Sequence, residues 1–258
     1  MSMRRSFAWT ACVLAVALVA RVTPARAADA PPDVEISRIT VKLPDADWRV
    51  SDMLPYTLPV RDSGLSVGGE SRLLFAGKPG TRGALAMLVT ATRGQGRVTM
   101  HAECEPEDGT YVRKFNRGQA NYIPLQCLRV EGPARIPKDV STVHASLARA
   151  MAAQHVAAPP DGYLLTLTVC NDNGALVDIV ALVGLDIVGL DAKPAVEALP
   201  ADMPPAVAAW ADRLGEEALG TLSSWSGRMS VPAVTFKASA PRPDPLNTAQ
   251  AATAALED

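Results

Sequence analysis

Alternation of apolar and polar residues is the dominant pattern of this chain. Between Glu35 and Leu43, Ile39, Val41 and Leu43 fall on one side and Thr40 and Lys42 on the other, which predicts one half-buried strand. Pro55, Pro59, Gly64, Gly68 and Gly69 punctuate residues 45–69, so that stretch reads as a long irregular loop pinned to the core by Trp48 and Tyr56. Strand signals follow at Arg72–Ala76, Ala84–Thr92 and Arg97–Cys104, joined by glycine-rich links that suit consecutive antiparallel hairpins. Tyr111–Phe115 and Tyr122–Val130 add two strands, and Pro124 marks the second as an edge strand or a bulged one.

The period then lengthens. Asp139 is placed to cap a helix with Val140, Val143, Leu147 and Met151 on one stripe, stopped by Pro159-Pro160. Tyr163–Cys170 and Leu176–Leu185 return to strand around the turn residues Asn171-Asp172-Asn173-Gly174. The second of them is apolar enough to lie centrally in a sheet. Pro205 suits the first position of a second helix, whose stripe is Val207, Trp210, Leu214, Ala218, Thr221 and Trp225. Gly215 and Gly220 each weaken that helix by about 1 kcal/mol relative to Ala, so it either packs very closely or moves. Gly227 fits a helix C-cap, and Met229–Phe236 reads as a last strand.

These elements predict an α+β fold: a mostly antiparallel, twisted sheet of about six to eight strands with two packed helices. The alternative is a β-sandwich with helical decoration. Residues 28–236 form the expected single globular domain, and the Pro- and Ala-rich residues 237–258 read as a disordered tail.

The N-terminus adds a compartment. Arg4 and Arg5 precede an uncharged, mostly apolar run from Ala8 to Ala20, and Ala25-Arg26-Ala27 follows as a small-x-small cleavage site. That is the layout of a signal peptide over residues 1–27, and the run is too short to span a bilayer. Arg4-Arg5-Ser6-Phe7 also matches part of a twin-arginine signal. Removing Arg4, Arg5, Arg21 and Arg26 takes four positive charges from a chain of formal net charge −2, leaving −6. A mildly acidic periplasmic or extracellular protein is a poor ligand for nucleic acid, and no further segment approaches a membrane span.

Chemical motifs are sparse. Gly64-Leu65-Ser66-Val67-Gly68 matches G-x-S-x-G, yet a polar, Pro-broken stretch precedes it and a strand follows, where a nucleophile elbow needs a strand before and a helix after. His144 and His155 share one side of the expected helix roughly 16 Å apart along its axis, too far for one ion. His101 alternates with Arg97, Thr99 and Glu103 as a solvated strand residue. No metal site or cofactor is expected. The residues that best suit a binding lip are Tyr111, Arg113, Asn116, Arg117, Gln119 and Tyr122, set against the plainer reading of a solvated hairpin of mixed charge.

The cysteines close the list. Export implies an oxidising compartment, where Cys104 and Cys127, on strands bracketing one excursion and both pointing inward, form the economical pair. The loop-entropy estimate for that staple is roughly 3 kcal/mol. Cys170 faces away from Leu165, Leu167 and Val169, as a thiol or, at the surface, a bridge to a protein partner or a second copy. The expected role is a non-catalytic binding or envelope-accessory protein, with a secreted serine hydrolase using Ser66 as the alternative.

Overall fold

The structure is a computed structural model that describes residues 33–45, 47–59, 66–76, 85–92, 104–105, 107–115, 125–135, 140–142, 144–159, 161–171, 174–185, 187–188, 199–224 and 227–236. In chain order the strands are β1 (Asp33–Ile36), β2 (Ile39–Lys42), β3 (Trp48–Val50), β4 (Leu54–Pro59), β5 (Ser66–Ala76), β6 (Leu85–Thr92), β7 (Thr110–Lys114) and β8 (Leu125–Arg135). Helix α1 (Ala145–Ala153) follows, then β9 (Asp161–Cys170), β10 (Leu176–Gly184), β11 (Ile187–Val188), helix α2 (Pro205–Ser223), β12 (Arg228–Ser230) and β13 (Thr235–Phe236).

The main sheet has eight strands in the order β3-β5-β6-β10-β9-β8-β7, with β4 also paired to β5 beyond β3. All its pairings are antiparallel. The mostly-sheet α+β class with two helices is therefore the architecture. A three-stranded sheet, β1-β2-β12, includes one parallel pairing, β2 with β12.

Period-2 patterning sorts the main sheet's side chains into two faces. Leu74, Met87, Val89, Leu128, Val130, Leu165, Leu167, Val169, Ile179 and Ala181 build the larger core with Val207, Trp210, Leu214 and Ala218 of α2 and with Val34, Ile36, Val41 and Met229 of the small sheet. The opposite face is apolar at one end only, where Leu73, Phe75, Ala86, Leu88, Val180 and Leu182 pack under Leu147, Ala150 and Met151 of α1. The layers are thus α2 with the small sheet, the main sheet, and α1. Strand β10 lies between β9 and β6, as its apolar run predicts.

Several boundaries differ from expectation for local reasons. Glu35–Leu43 is a hairpin rather than one strand, because the chain turns at Ser37, whose φ is 57°. The loop expected over 45–69 contains β3, β4 and the start of β5. Prolines 55 and 59 are tolerated because β4 pairs with β5 alone among the described residues, and an edge strand has backbone N–H groups to spare. The Tyr122–Val130 strand is β8, interior between β7 and β9, with its register shift between Glu131 and Ala134. Pro124 and all but Cys104 of Arg97–Cys104 lie outside the described residues.

The first helix is shorter than its stripe. Val140–Thr142 is a single 3-10 turn, and α1 begins only after His144. His144 is extended (φ −153°, ψ 101°), and its Nδ1 accepts from the Leu147 N–H at 3.3 Å. His155 follows the helix with φ 52°, so the two histidines do not share a helical face. The second helix begins as expected, with Pro204 as N-cap and Pro205 inside the first turn. It ends at Ser224 in extended conformation, so Gly227 (φ 58°) opens β12 and is not its C-cap. Trp225, Asp139, the leader 1–27 and the tail 237–258 lie outside the described residues.

Candidate functional site

Of the six residues suited to a binding lip, Asn116, Arg117, Gln119 and Tyr122 lie outside the described residues, and the other two face inward. Tyr111 is 2% exposed, and its hydroxyl donates to Asp212 Oδ1 of α2 at 2.7 Å. Burial first, and then the hydrogen bond to the Asp212 carboxylate, raise the Tyr111 pKa well above that of a free phenol. Arg113 Nη1 lies 3.1 Å from the same Asp212 oxygen, and Nη2 donates to Glu216 Oε1 at 3.0 Å. The guanidinium also stacks 4.4 Å from the centroid of the Phe115 ring. That ring in turn fills the space a side chain at Gly215 would need. Tyr111 and Arg113 therefore clasp α2 to β7.

The charged hairpin around them is otherwise solvated, with Lys114 Nζ paired to Glu105 Oε1 at 3.2 Å and Arg129 paired to Glu107. Exposed pairs of this kind contribute little.

Ser66 is exposed at the start of β5, opposite Pro59 in the ladder, and the chain continues as strand to Ala76. A nucleophile elbow needs a helix at that point.

Cys104 and Cys127 are joined as a disulfide, 5.7 Å apart at Cα. Cys127 does not point into the larger core. Its ladder partner is Thr168, which places it on the α1 face. Cys170, two residues on along β9, shares that face and packs in one cluster with Cys104, Cys127, Leu176 and Val112. It is 0% exposed and its thiol donates to the Asn171 carbonyl at 3.4 Å. A bridge from Cys170 to another chain needs a surface thiol, and this one is enclosed.

The strongest chemical feature is one that periodicity alone passes over. Ladder pairings run Ser71–Thr90–Asp178–Thr168–Cys127 across β5, β6, β10, β9 and β8. Directly opposed residues share a face, so this is a polar row on the α1 side, at the margin of the helix's cover. Ser71 Oγ and Thr90 Oγ1 bond at 2.8 Å, and the Thr168 hydroxyl donates to Asp178 Oδ1 at 2.6 Å.

Asp178 is set deep in the central strand, with a small part of its surface reaching solvent. Burial drives its carboxyl above the ordinary range, against the opposing pull of the Thr168 hydroxyl and of His144. Tyr56 of β4, half-buried, is raised by burial and then by the Asp178 charge. The site thus gathers a carboxyl, hydroxyls, an imidazole and a phenol from β10, β9, the α1 cap and β4. A buried carboxyl ionises at low cost only when a partner compensates it. The legible signal was an acid within the apolar run Leu176-Val177-Asp178-Ile179-Val180.

No group of three or more metal-ligating side chains occurs among the described residues, and no described helix is long and apolar enough to cross a membrane. No protein-family model matches the chain, and neither a curated protein nor a solved structure matches it.

Proposed function

We propose that the chain is exported through its N-terminal leader and acts as a non-catalytic binding or envelope-accessory protein that recognises a polar ligand around Asp178. The observation that carries this reading is the buried carboxyl of Asp178, held by Thr168 and flanked by Tyr56 and His144 at the edge of the α1 cover. Carboxyls whose pKa is raised by burial beside a specific partner are enriched at functional sites. The basic-apolar-small pattern of residues 1–27 supports export, and the Cys104–Cys127 disulfide is compatible with an oxidising compartment.

Two measurements test it. N-terminal sequencing of fractionated protein is expected to begin at or near Ala28, outside the cytoplasm; a cytosolic product that starts at Met1 overturns export. A thermal-shift screen of small polar compounds is expected to find ligands that raise the melting temperature of the native protein but not of Asp178→Asn. Stoichiometric labelling of Ser66 by a fluorophosphonate probe would replace the binding role with a hydrolase.

A further inference from the structure

Asp178 occupies a window between two apolar clusters. Leu176 and Val180 flank it on the same strand and the same face. Leu176 packs with the Cys104–Cys127 pair and Cys170, and Val180 packs under Leu147 and Met151 of α1. Thr166, Thr168, Tyr56 and His144 are half-buried, as Asp178 is, so the window opens to solvent. On the strand between Tyr56 and Thr92 the ladder position is Gly69, which puts no side chain there. A Cβ at Gly69 would meet the Ala91 carbonyl oxygen at 2.5 Å, so the position stays bare.

What the window lacks is a positive charge. Asp178 has no lysine or arginine in ion-pair reach among the described residues. The cations of this face, Lys114 and Arg129, are already paired with Glu105, Glu107 and Glu131. Oδ1 of Asp178 accepts from the Thr168 hydroxyl at 2.6 Å, and Oδ2 has no donor among the described residues. Ser71 and Thr90 are bonded to each other. His144 is not the missing cation while it caps α1. Its Nδ1 accepts from the Leu147 N–H at 3.3 Å, a bond that the doubly protonated ring cannot make.

We infer that this window takes the ammonium group of a small organic amine, with Asp178 as its counter-ion. The inference rests on the ligand role proposed for Asp178 and adds the charge of the ligand. An ammonium head supplies the compensation that a buried carboxylate needs. The Tyr56 ring, close enough to feel the Asp178 charge, attracts cations over anions. The apolar clusters on both sides suit a short hydrocarbon body. A metal ion fits less well, since no group of three or more ligating side chains occurs among the described residues.

The probes are n-butylammonium chloride and its neutral isostere n-butanol, titrated into the mature disulfide-bonded protein and followed by NMR amide shifts. Saturable shifts around Asp178 and Thr168 are expected with the ammonium and not with the alcohol. Asp178→Asn, whose amide spectrum reports its fold, should weaken ammonium binding about tenfold or more, as for a lost charged hydrogen bond. In the native protein the affinity should rise with pH from about 4 to 8 as Asp178 ionises. That rise should persist in His144→Asn, which keeps a capping residue, and vanish in Asp178→Asn. A rise lost in His144→Asn, or no saturable ammonium binding, overturns the inference. Alcohol that binds as tightly as the ammonium and depends on Asp178 overturns the charge assignment alone and leaves a polar-ligand site standing. Binding of both probes that is indifferent to Asp178→Asn overturns the site itself.

Discussion

The Tyr111 hydroxyl and the Asp212 carboxylate, 101 residues apart in sequence, bond at 2.7 Å where β7 meets α2. Arg113 Nη1 lies 3.1 Å from the same carboxylate oxygen as an ion pair, so one acid engages a phenol and a guanidinium from one strand. Asp212→Ala leaves a buried phenol and a half-buried guanidinium without that acceptor. The expected loss is about 3–5 kcal/mol in urea unfolding, as for breaking a buried pair by removing one partner. Tyr111→Phe removes one bond and leaves the ion pair, so about 1 kcal/mol is expected.

The two glycines of α2 should respond to Ala with opposite signs. At Gly215 the new methyl overlaps the Phe115 ring, and overpacking of this kind costs about 1–3 kcal/mol. At Gly220 the methyl enters open space and the helix gains about 1 kcal/mol of propensity. Parallel denaturant titrations of Gly215→Ala and Gly220→Ala check both.

Trp210 is 1% exposed and its indole N–H donates to the Pro232 carbonyl at 3.0 Å. Trp210→Ala should cost about 3–5 kcal/mol. A change under about 1 kcal/mol would mean that this face of α2 is dispensable to the core.

Asp178 makes stability depend on pH with a definite sign. Its folded pKa is raised, so the proton it holds favours the folded state fully below the unfolded value of about 3.9. That contribution is lost as pH rises through the folded pKa. Asp178→Asn keeps an acceptor for Thr168 and never ionises. The variant should therefore gain on the native protein as pH rises from about 4 to 8, read as the difference in denaturation midpoint. A difference that is flat across that window contradicts the assignment.

Peptide mapping without reduction should return a Cys104–Cys127 linked peptide. Cys170 should resist alkylation in native buffer and react after unfolding, since it is enclosed. A linkage from Cys170 to either neighbour would contradict the observed pairing.

Regular alternation made the central strands legible. β6, β9 and β10 lie within two residues of where their apolar runs place them, and α2 starts at Pro205 as expected. Departures arose where a residue acts against its habit. Ser37 turns the first hairpin in a left-handed conformation usually left to glycine, so no breaker announced it. Prolines 55 and 59 read as interruptions because propensity does not record that an edge strand spares its donors. A histidine caps α1, a task that sequence rules assign to Ser, Thr, Asp or Asn.

The candidate site was harder to read. Tyr111 and Arg113 carry ligand-like chemistry, but their partners lie on α2, far along the chain. Asp178 is an acid within an apolar run, yet its hydroxyl neighbours come together only through the register of three other strands, β5, β6 and β9.

The strand order also ranks the steps by which the chain assembles. Among the described residues the next strand after β6 is β7, yet the second neighbour of β6 in the sheet is β10, far downstream, with Val177 opposite Ala91 and Val183 opposite Leu85. All eight β6 side chains are buried in the finished molecule. Until Leu176–Gly184 is in place, that strand offers an unpaired hydrogen-bonding edge with apolar side chains on both faces, the template on which other chains aggregate. The β9–β10 hairpin is thus the keystone that joins the N-terminal strands to the β7–β8 pair. A nascent or truncated polypeptide that lacks it is the form most in need of a chaperone.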